Sequence, residues 1–277
     1  MKKLALLVVT LLTSLVLIGC NTKDDEYVLK VGVVAPPMST VIELSQERFE
    51  AITVIDEEGK THNYKLEIIR FTDYDTINRA LNDGEIDLNF SQHELYMNEF
   101  NNNHNGTLVH LQGIYTTANY LYSTKYNDIS DITKDSVIGI AREPINLNRA
   151  LRFLKDLGLV NFDDNITGNI TIEDITKTIE FELELFELTG LPKFFVDIDA
   201  AIMYPSFGMQ ADLEVGKDTI AKEANINSAY DISIVGREDN KDSKIVRDFI
   251  DVVTSQETVD FLKGEFGDTY EIVFDVK

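Results

Sequence analysis

The stretch KLEIIRFTDYDTINRALNDGEIDLNFSQHELYMNEFNN, residues 65–102, decides how this chain folds. Lys65 to Phe71 is an apolar run of strand length, Thr76 to Asn82 has helical period, Ile86 to Phe90 is again a strand, and His93 to Asn102 again helical. Upstream, Val28 to Val34 followed by Ser39 to Ile55 starts the same alternation. Strand, helix, strand in repetition is the pattern of a mostly parallel sheet covered by helices on both faces, an α/β fold.

Downstream the rhythm breaks. Leu108 to Gln112 and Tyr115 to Ser123 read as two extended segments with no helical pattern between them. A second series then begins with a strand at Val137 to Ala141. A helix follows from about Asn146 to Leu157, with Leu147, Ala150, Leu151 and Leu154 on one face and Gly158 placed to end it. Ile179 to Leu185 alternates strictly, with Ile179, Phe181, Leu183 and Leu185 expected on a buried side and Glu180, Glu182 and Glu184 on a solvated one. Ile198 to Met203 and Ile232 to Val235 are further strands. Two helices, Ser243 to Thr254 and Glu257 to Lys263, close the chain, the first with an apolar stripe of Val246, Phe249, Ile250 and Val253.

This order implies two α/β lobes, 28–114 plus 236–277 and 115–235, joined by two crossings that make a hinge. Ligands favour clefts between domains and the carboxyl ends of parallel strands. The length of 277 residues is ample for two such cores.

The amino terminus carries a separate message. Lys2 and Lys3 precede Leu4 to Ile18, an uncharged apolar run that is shorter than the roughly 20 residues of a membrane-spanning helix. It ends at Leu17-Ile18-Gly19-Cys20, which resembles a lipobox. Residues 1–19 then form a lipoprotein signal peptide, and 20–27 a flexible stem lipidated at Cys20 on the outer face of the cytoplasmic membrane. Cys20 is the single cysteine, so no disulfide and no thiolate metal site is available.

Composition excludes several functions. With 48 acidic against 25 basic side chains, the chain has no basic patch with which to hold a nucleic acid. It carries no phosphate-binding Gly-rich loop, no nucleophile elbow and no His-Glu-x-x-His helix. The histidines, His62, His93, His104 and His110, include no pair four residues apart. Neither a cofactor nor a metal is expected, and a binding protein without turnover is favoured over an enzyme.

Phe71-Thr72-Asp73-Tyr74, Asn78-Arg79-Ala80-Leu81, Gly84-Glu85-Ile86-Asp87-Leu88-Asn89 and Gln92-His93 with Tyr96 and Phe100-Asn101 together resemble a block of the MetQ/NlpA family. Those proteins are the solute-binding lipoproteins of methionine ABC importers. Pro144-Ile145-Asn146-Leu147-Asn148-Arg149-Ala150-Leu151 resembles a second block, Asp197-Ile198-Asp199-Ala200-Ala201-Ile202 a third, and Arg237-Glu238-Asp239-Asn240 a fourth, in order across almost the whole chain. The resemblance implies a two-lobed, Venus-flytrap binding protein, a monomer that closes on a free amino acid and passes it to a permease driven by an ATPase. It implies Arg149 as a bidentate clamp for the ligand carboxylate, with Tyr74, His93 and Tyr96 lining a side-chain pocket that suits a thioether. Asn146 either orients the carboxylate or caps its helix, and Tyr204 is the sixth candidate ligand residue. The chain departs from the family at Ser91, where a Phe is usual, at Tyr204 and Ile232, where an Asn is usual, and at Pro36-Pro37-Met38. These changes leave the ligand's identity open between methionine, a hydrophobic or differently shaped amino acid, a short peptide and another small metabolite. A surface interaction module of the same fold is the alternative to a transport component.

Overall fold

A computed structural model describes residues 25–224 and 226–277; the signal segment and Cys20 lie outside the described residues. The first half of the chain runs β1 (Val28–Val33), α1 (Met38–Glu50), β2 (Thr53–Ile55), β3 (Thr61–Asn63), β4 (Lys65–Arg70), α2 (Tyr74–Asn82), β5 (Leu88–His93), α3 (Glu94–His104), β6 (Leu108–Thr117), β7 (Tyr120–Tyr122) and β8 (Val137–Ala141). It continues through α4 (Pro144–Asp156), β9 (Val160–Asn161), β10 (Thr176–Lys177), β11 (Glu182–Phe186), α5 (Leu191–Phe194), β12 (Ala200–Met203), α6 (Pro205–Gln210) and β13 (Thr219–Lys222). The last elements are β14 (Ile232–Arg237), α7 (Lys244–Val253), α8 (Gln256–Phe266) and β15 (Tyr270–Ile272).

Two sheets organise these elements. The first has the order β15-β6-β14-β5-β1-β4, with β1 parallel to β4 and β5 and with β14 antiparallel to both neighbours. The second has the order β11-β8-β12-β7-β13, parallel across its first three strands and antiparallel at β7 and β13. Each sheet is covered on both faces. In the first lobe, α1, α7 and α8 bury Val41, Ile42, Phe49, Phe249 and Leu262 against one face, while α2 and α3 bury Ile77, Leu81, Met97 and Phe100 against the other. In the second lobe, Leu147, Leu151 and Leu154 of α4 fill the core on one side and Leu191, Phe195 and Phe207 on the other. Removing this much apolar side chain from water is the main source of stability for both cores.

Several expectations shift by register. The helical stretch expected over Ser39 to Ile55 ends at Glu50 and gives way to the β2–β3 hairpin, whose turn is closed by Asp56 accepting from the backbone N–H groups of Glu58 and Lys60. Leu108 to Thr117 is one continuous strand rather than part of two. The alternation of 179–185 is only half expressed: the strand β11 starts at Glu182, Phe181 ahead of it is buried, Ile179 ahead of it is 41% exposed, and Leu185, on the outermost strand of its sheet, is 42% exposed. No cluster of metal-binding side chains forms among the described residues, and Glu182 and Glu184 are exposed.

The lobe boundaries also move. Strands β6 and β14 belong entirely to the first sheet, so Tyr115 to Thr117 and Ile232 to Val235, expected in the second lobe, sit in the first. The chain crosses at Ala118-Asn119 and returns between β13 and β14. The two crossings touch: Glu223 donates its backbone N–H to Asn119 O at 2.9 Å, and Asn119 N–H donates to the Glu223 carboxylate at 2.8 Å.

Candidate ligand-binding site between the lobes

Local sequence places the site's side chains at the carboxyl ends of strands. In the first lobe, Asp73 caps α2 by accepting from Thr76 N–H at 2.7 Å, which starts the helix at Tyr74. The end of β5 delivers Ser91, Gln92 and His93, and the His93 ring itself caps α3, its Nδ1 accepting from Tyr96 N–H at 3.2 Å. In the second lobe, α4 opens with Pro144 at its first position and Glu143 before it, so Asn146 is inside the helix and not its cap. The end of β12 delivers Tyr204.

These segments meet. Tyr74, His93 and Tyr96 from the first lobe and Asn146 and Tyr204 from the second line a cavity of about 20 Å³, with Ser91, Gln92, Leu188 and Ile232 completing its wall. That is room for about one water molecule. Larger open grooves of about 590 Å³ lie around Tyr27 and His62, but residues of the first lobe alone line them.

His93 joins the lobes. A backbone N–H can only donate, so Nδ1 is the acceptor and the neutral ring holds its proton on Nε2, which donates to Asn146 Oδ1 at 3.2 Å. Burial, with help from the nearby charge of Arg149, pushes His93 down to about 3, so the ring is neutral at physiological pH. Tyr74 reaches across to pack in the second lobe's cluster with Leu188 and Tyr204, and its ring meets Tyr96 edge to face at 5.6 Å. Asn169 of the second lobe also donates to Glu99 of α3 at 3.3 Å. Under the cavity, Asn78, Asn89 and Gln92 form a closed amide network, with bonds of 2.8 Å from Asn78 to Gln92 and 2.8 Å from Asn89 to Asn78. A fully satisfied buried network of this kind holds the floor rigid.

Arg149 is placed differently from the expectation. It does not line the cavity, and its fork grips an internal carboxylate: Nε donates to Glu223 Oε1 at 2.9 Å and Nη2 to Oε2 at 2.7 Å. Nη2 also donates to Thr117 O at 2.9 Å, and the guanidinium lies 4.2 Å from the centre of the Tyr230 ring. Arg149 thus fastens α4 to both interlobe crossings. Its remaining contact is a donation from Nη1 to the Tyr204 hydroxyl at 3.2 Å. That leaves the Tyr204 proton free to donate, polarised by the cation behind it.

Sequence reasoning missed Glu223 and Tyr230. Glu223 follows a short strand in a chain with 48 acidic residues, and nothing in its neighbourhood marks it. Glu143 was missed as well. It is 8% exposed, Oε1 accepts from Leu188 N–H at 3.0 Å, and Oε2 has no partner. Burial, opposed by that N–H and reinforced by the neighbouring Glu187, pushes its carboxyl up to about 7.

Two α/β lobes that bring side chains of both halves into one cavity at strand ends define a two-lobed solute-binding protein. The family profile described as NlpA lipoprotein matches residues 29–273, and the chain belongs to that family. It is 30% identical to the D-methionine-binding lipoprotein MetQ of Yersinia pestis, over 92% of each chain. It is 29% identical to the membrane lipoprotein TpN32 of Treponema pallidum, over 82% of this chain and 81% of that protein. A nutrient-binding protein from Burkholderia cenocepacia, solved bound to methionine, superimposes with a TM-score of 0.79 at 27% identity, covering 89% of this chain and all of that one.

Proposed function

We propose that this protein is the lipid-anchored, extracytoplasmic solute-binding component of an ABC importer. It takes methionine or a related amino-acid-like solute between its lobes and delivers it to the permease, which the cognate ATPase drives. The observation that carries this reading is the His93–Asn146 bond, which closes a cavity walled by both lobes. The methionine named for two of the relatives supports the solute class. The amino-terminal pattern ending at Cys20 supports the anchor; no helix among the described residues is long and apolar enough to cross a membrane.

Each part of the cavity has a task in such a cycle. The Tyr204 hydroxyl, backed by Arg149, and the Asn146 amide are the donors for a carboxylate, while the faces of Tyr74, Tyr96 and the neutral His93 enclose the side chain. A solute that binds only when the lobes meet stabilises the closed form by its differential affinity, and no bond in it is broken.

The test is thermal unfolding of a soluble form starting after Cys20, in the presence of L- and D-methionine, the other amino acids and short peptides. One or a few should raise the melting temperature through mass action. His93→Ala should weaken binding of those ligands at least about tenfold while leaving the protein folded. If no amino acid or peptide at millimolar concentration raises the melting temperature, the solute class is wrong.

A further inference from the structure

We propose that Ser91 selects a ligand whose side chain carries a neutral hydrogen-bonding atom, so that a carboxamide or sulfoxide is preferred to an aliphatic chain of the same length. The inference rests on the reading that the interlobe cavity binds an amino-acid-like solute, and it names the chemistry of that solute.

Ser91 is 2% exposed, it lines the cavity, and its Oγ has no hydrogen-bond partner. A hydroxyl shut away from water without a partner is costly, and native proteins rarely retain one without a use. Its orientation comes from the backbone. Strand β14 pairs Ser233 with Gln92 and then Ile234 with Phe90, so Ser91 is the extra residue of a β-bulge. A bulge re-aims a side chain that a regular ladder would direct elsewhere. The neighbouring polar groups are already committed: Gln92 to Asn78 and Asn89, and both His93 nitrogens to Tyr96 and Asn146. Ser91 Oγ retains its full capacity to donate and accept.

The same cavity argues against a charged side chain. No carboxylate, lysine or arginine lines it, the His93 ring is neutral, and the charge of Arg149 is balanced by Glu223 behind the wall. Beyond the ligand's own carboxylate, which meets the Tyr204 hydroxyl and the Asn146 amide, a further ion on its side chain loses its water and gains no counter-charge. A neutral amide or sulfoxide oxygen meets the Ser91 O–H instead.

Titration calorimetry of the soluble protein with L-norleucine, L-methionine, L-glutamine and L-methionine sulfoxide, four linear side chains of similar reach, tests this. Glutamine or the sulfoxide should bind at least about tenfold tighter than norleucine, because a site built to pair a polar atom rejects the analogue that lacks one. Ser91→Ala should reduce that ratio to about twofold or less, chiefly by weakening the two polar probes. The variant should melt at or above the parent temperature, since an unpaired buried hydroxyl is gone; Ser91→Gly removes the same group and supplies an independent reading. Norleucine binding as tightly as both polar probes, or a ratio unchanged in both variants, overturns the role of Ser91 while the solute reading stands. Binding of none of the four while another amino acid or a peptide raises the melting temperature overturns the role of Ser91, and no response to any amino acid or peptide overturns the solute reading itself.

Discussion

Among single residues, Arg149 carries a buried ion pair with Glu223. Its side chain is 2% exposed, and that of its partner Glu223 is 10% exposed. Arg149→Ala therefore strands a buried carboxylate and should cost about 3–5 kcal/mol, seen as a lower urea midpoint. Arg149→Met combined with Glu223→Leu should recover most of that loss, because two apolar groups of similar volume need no counter-charge. A double variant as unstable as the single one would show that the pair is not energetically coupled. Acid acts on two other buried groups in opposite senses. His93, near 3 when folded against 6.5 in the unfolded chain, gives a contribution that grows as pH rises from 3 to 6.5 and is complete above it. Glu143, moved from 4.5 up to about 7, keeps its proton longer in the folded state, so its contribution falls as pH rises from 4.5 to 7. The two partly offset each other over the shared interval. In Glu143→Gln only the first remains, so the stability of this variant relative to the parent should increase by on the order of 1–3 kcal/mol between pH 4.5 and 7. Urea unfolding at a series of pH values measures it, and a flat difference would contradict the burial assigned to Glu143.

At the scale of elements, helix α4 shows how local signals become structure. Its apolar face was readable from Leu147, Ala150, Leu151 and Leu154, all of which are buried, and so was its end: Gly158 sits at φ +74°, with Leu159 N–H donating to Leu154 O at 2.9 Å. Gly158→Ala should cost about 1 kcal/mol, because a β-carbon disfavours that backbone region; an unchanged urea midpoint would refute this. The parallel strands were equally legible, since their branched apolar runs stand between helices of clear period. Other features were not. The bulge that aims Ser91 depends on the register of β14 against β5, strands more than a hundred residues apart in sequence, and no local pattern encodes it. The hairpin after Glu50 was hidden because Ile52, half-buried and three residues after Phe49, continues the helical spacing of the preceding apolar residues.

For the whole molecule, two lobes and a cleft followed from the change of rhythm after Asn102, but the assignment of Ile232 to Val235 did not. A strand's sheet is fixed by its neighbours in space, and β14 inserts between β5 and β6 far from its own sequence neighbours. Five of the six expected ligand residues converge on the cavity because each lies at or just past a strand end or in the first turn of a helix, where sequence blocks are easy to locate. The sixth, Arg149, depended on a carboxylate that only the meeting of the two crossings brings near. The placement of the described chain ends matters for experiments on motion. Strand β1 opens the first sheet, and Lys277 is tied to the same lobe, donating to Thr254 O at 3.0 Å and to Asp251 at 2.5 Å. Fluorophores fused at the two termini would ride on one rigid body and stay silent as the jaws move. Dyes on cysteines introduced at Ile55, 72% exposed on the first lobe, and Val196, 85% exposed on the second, would span the gap and turn the protein into an optical reporter of its own solute.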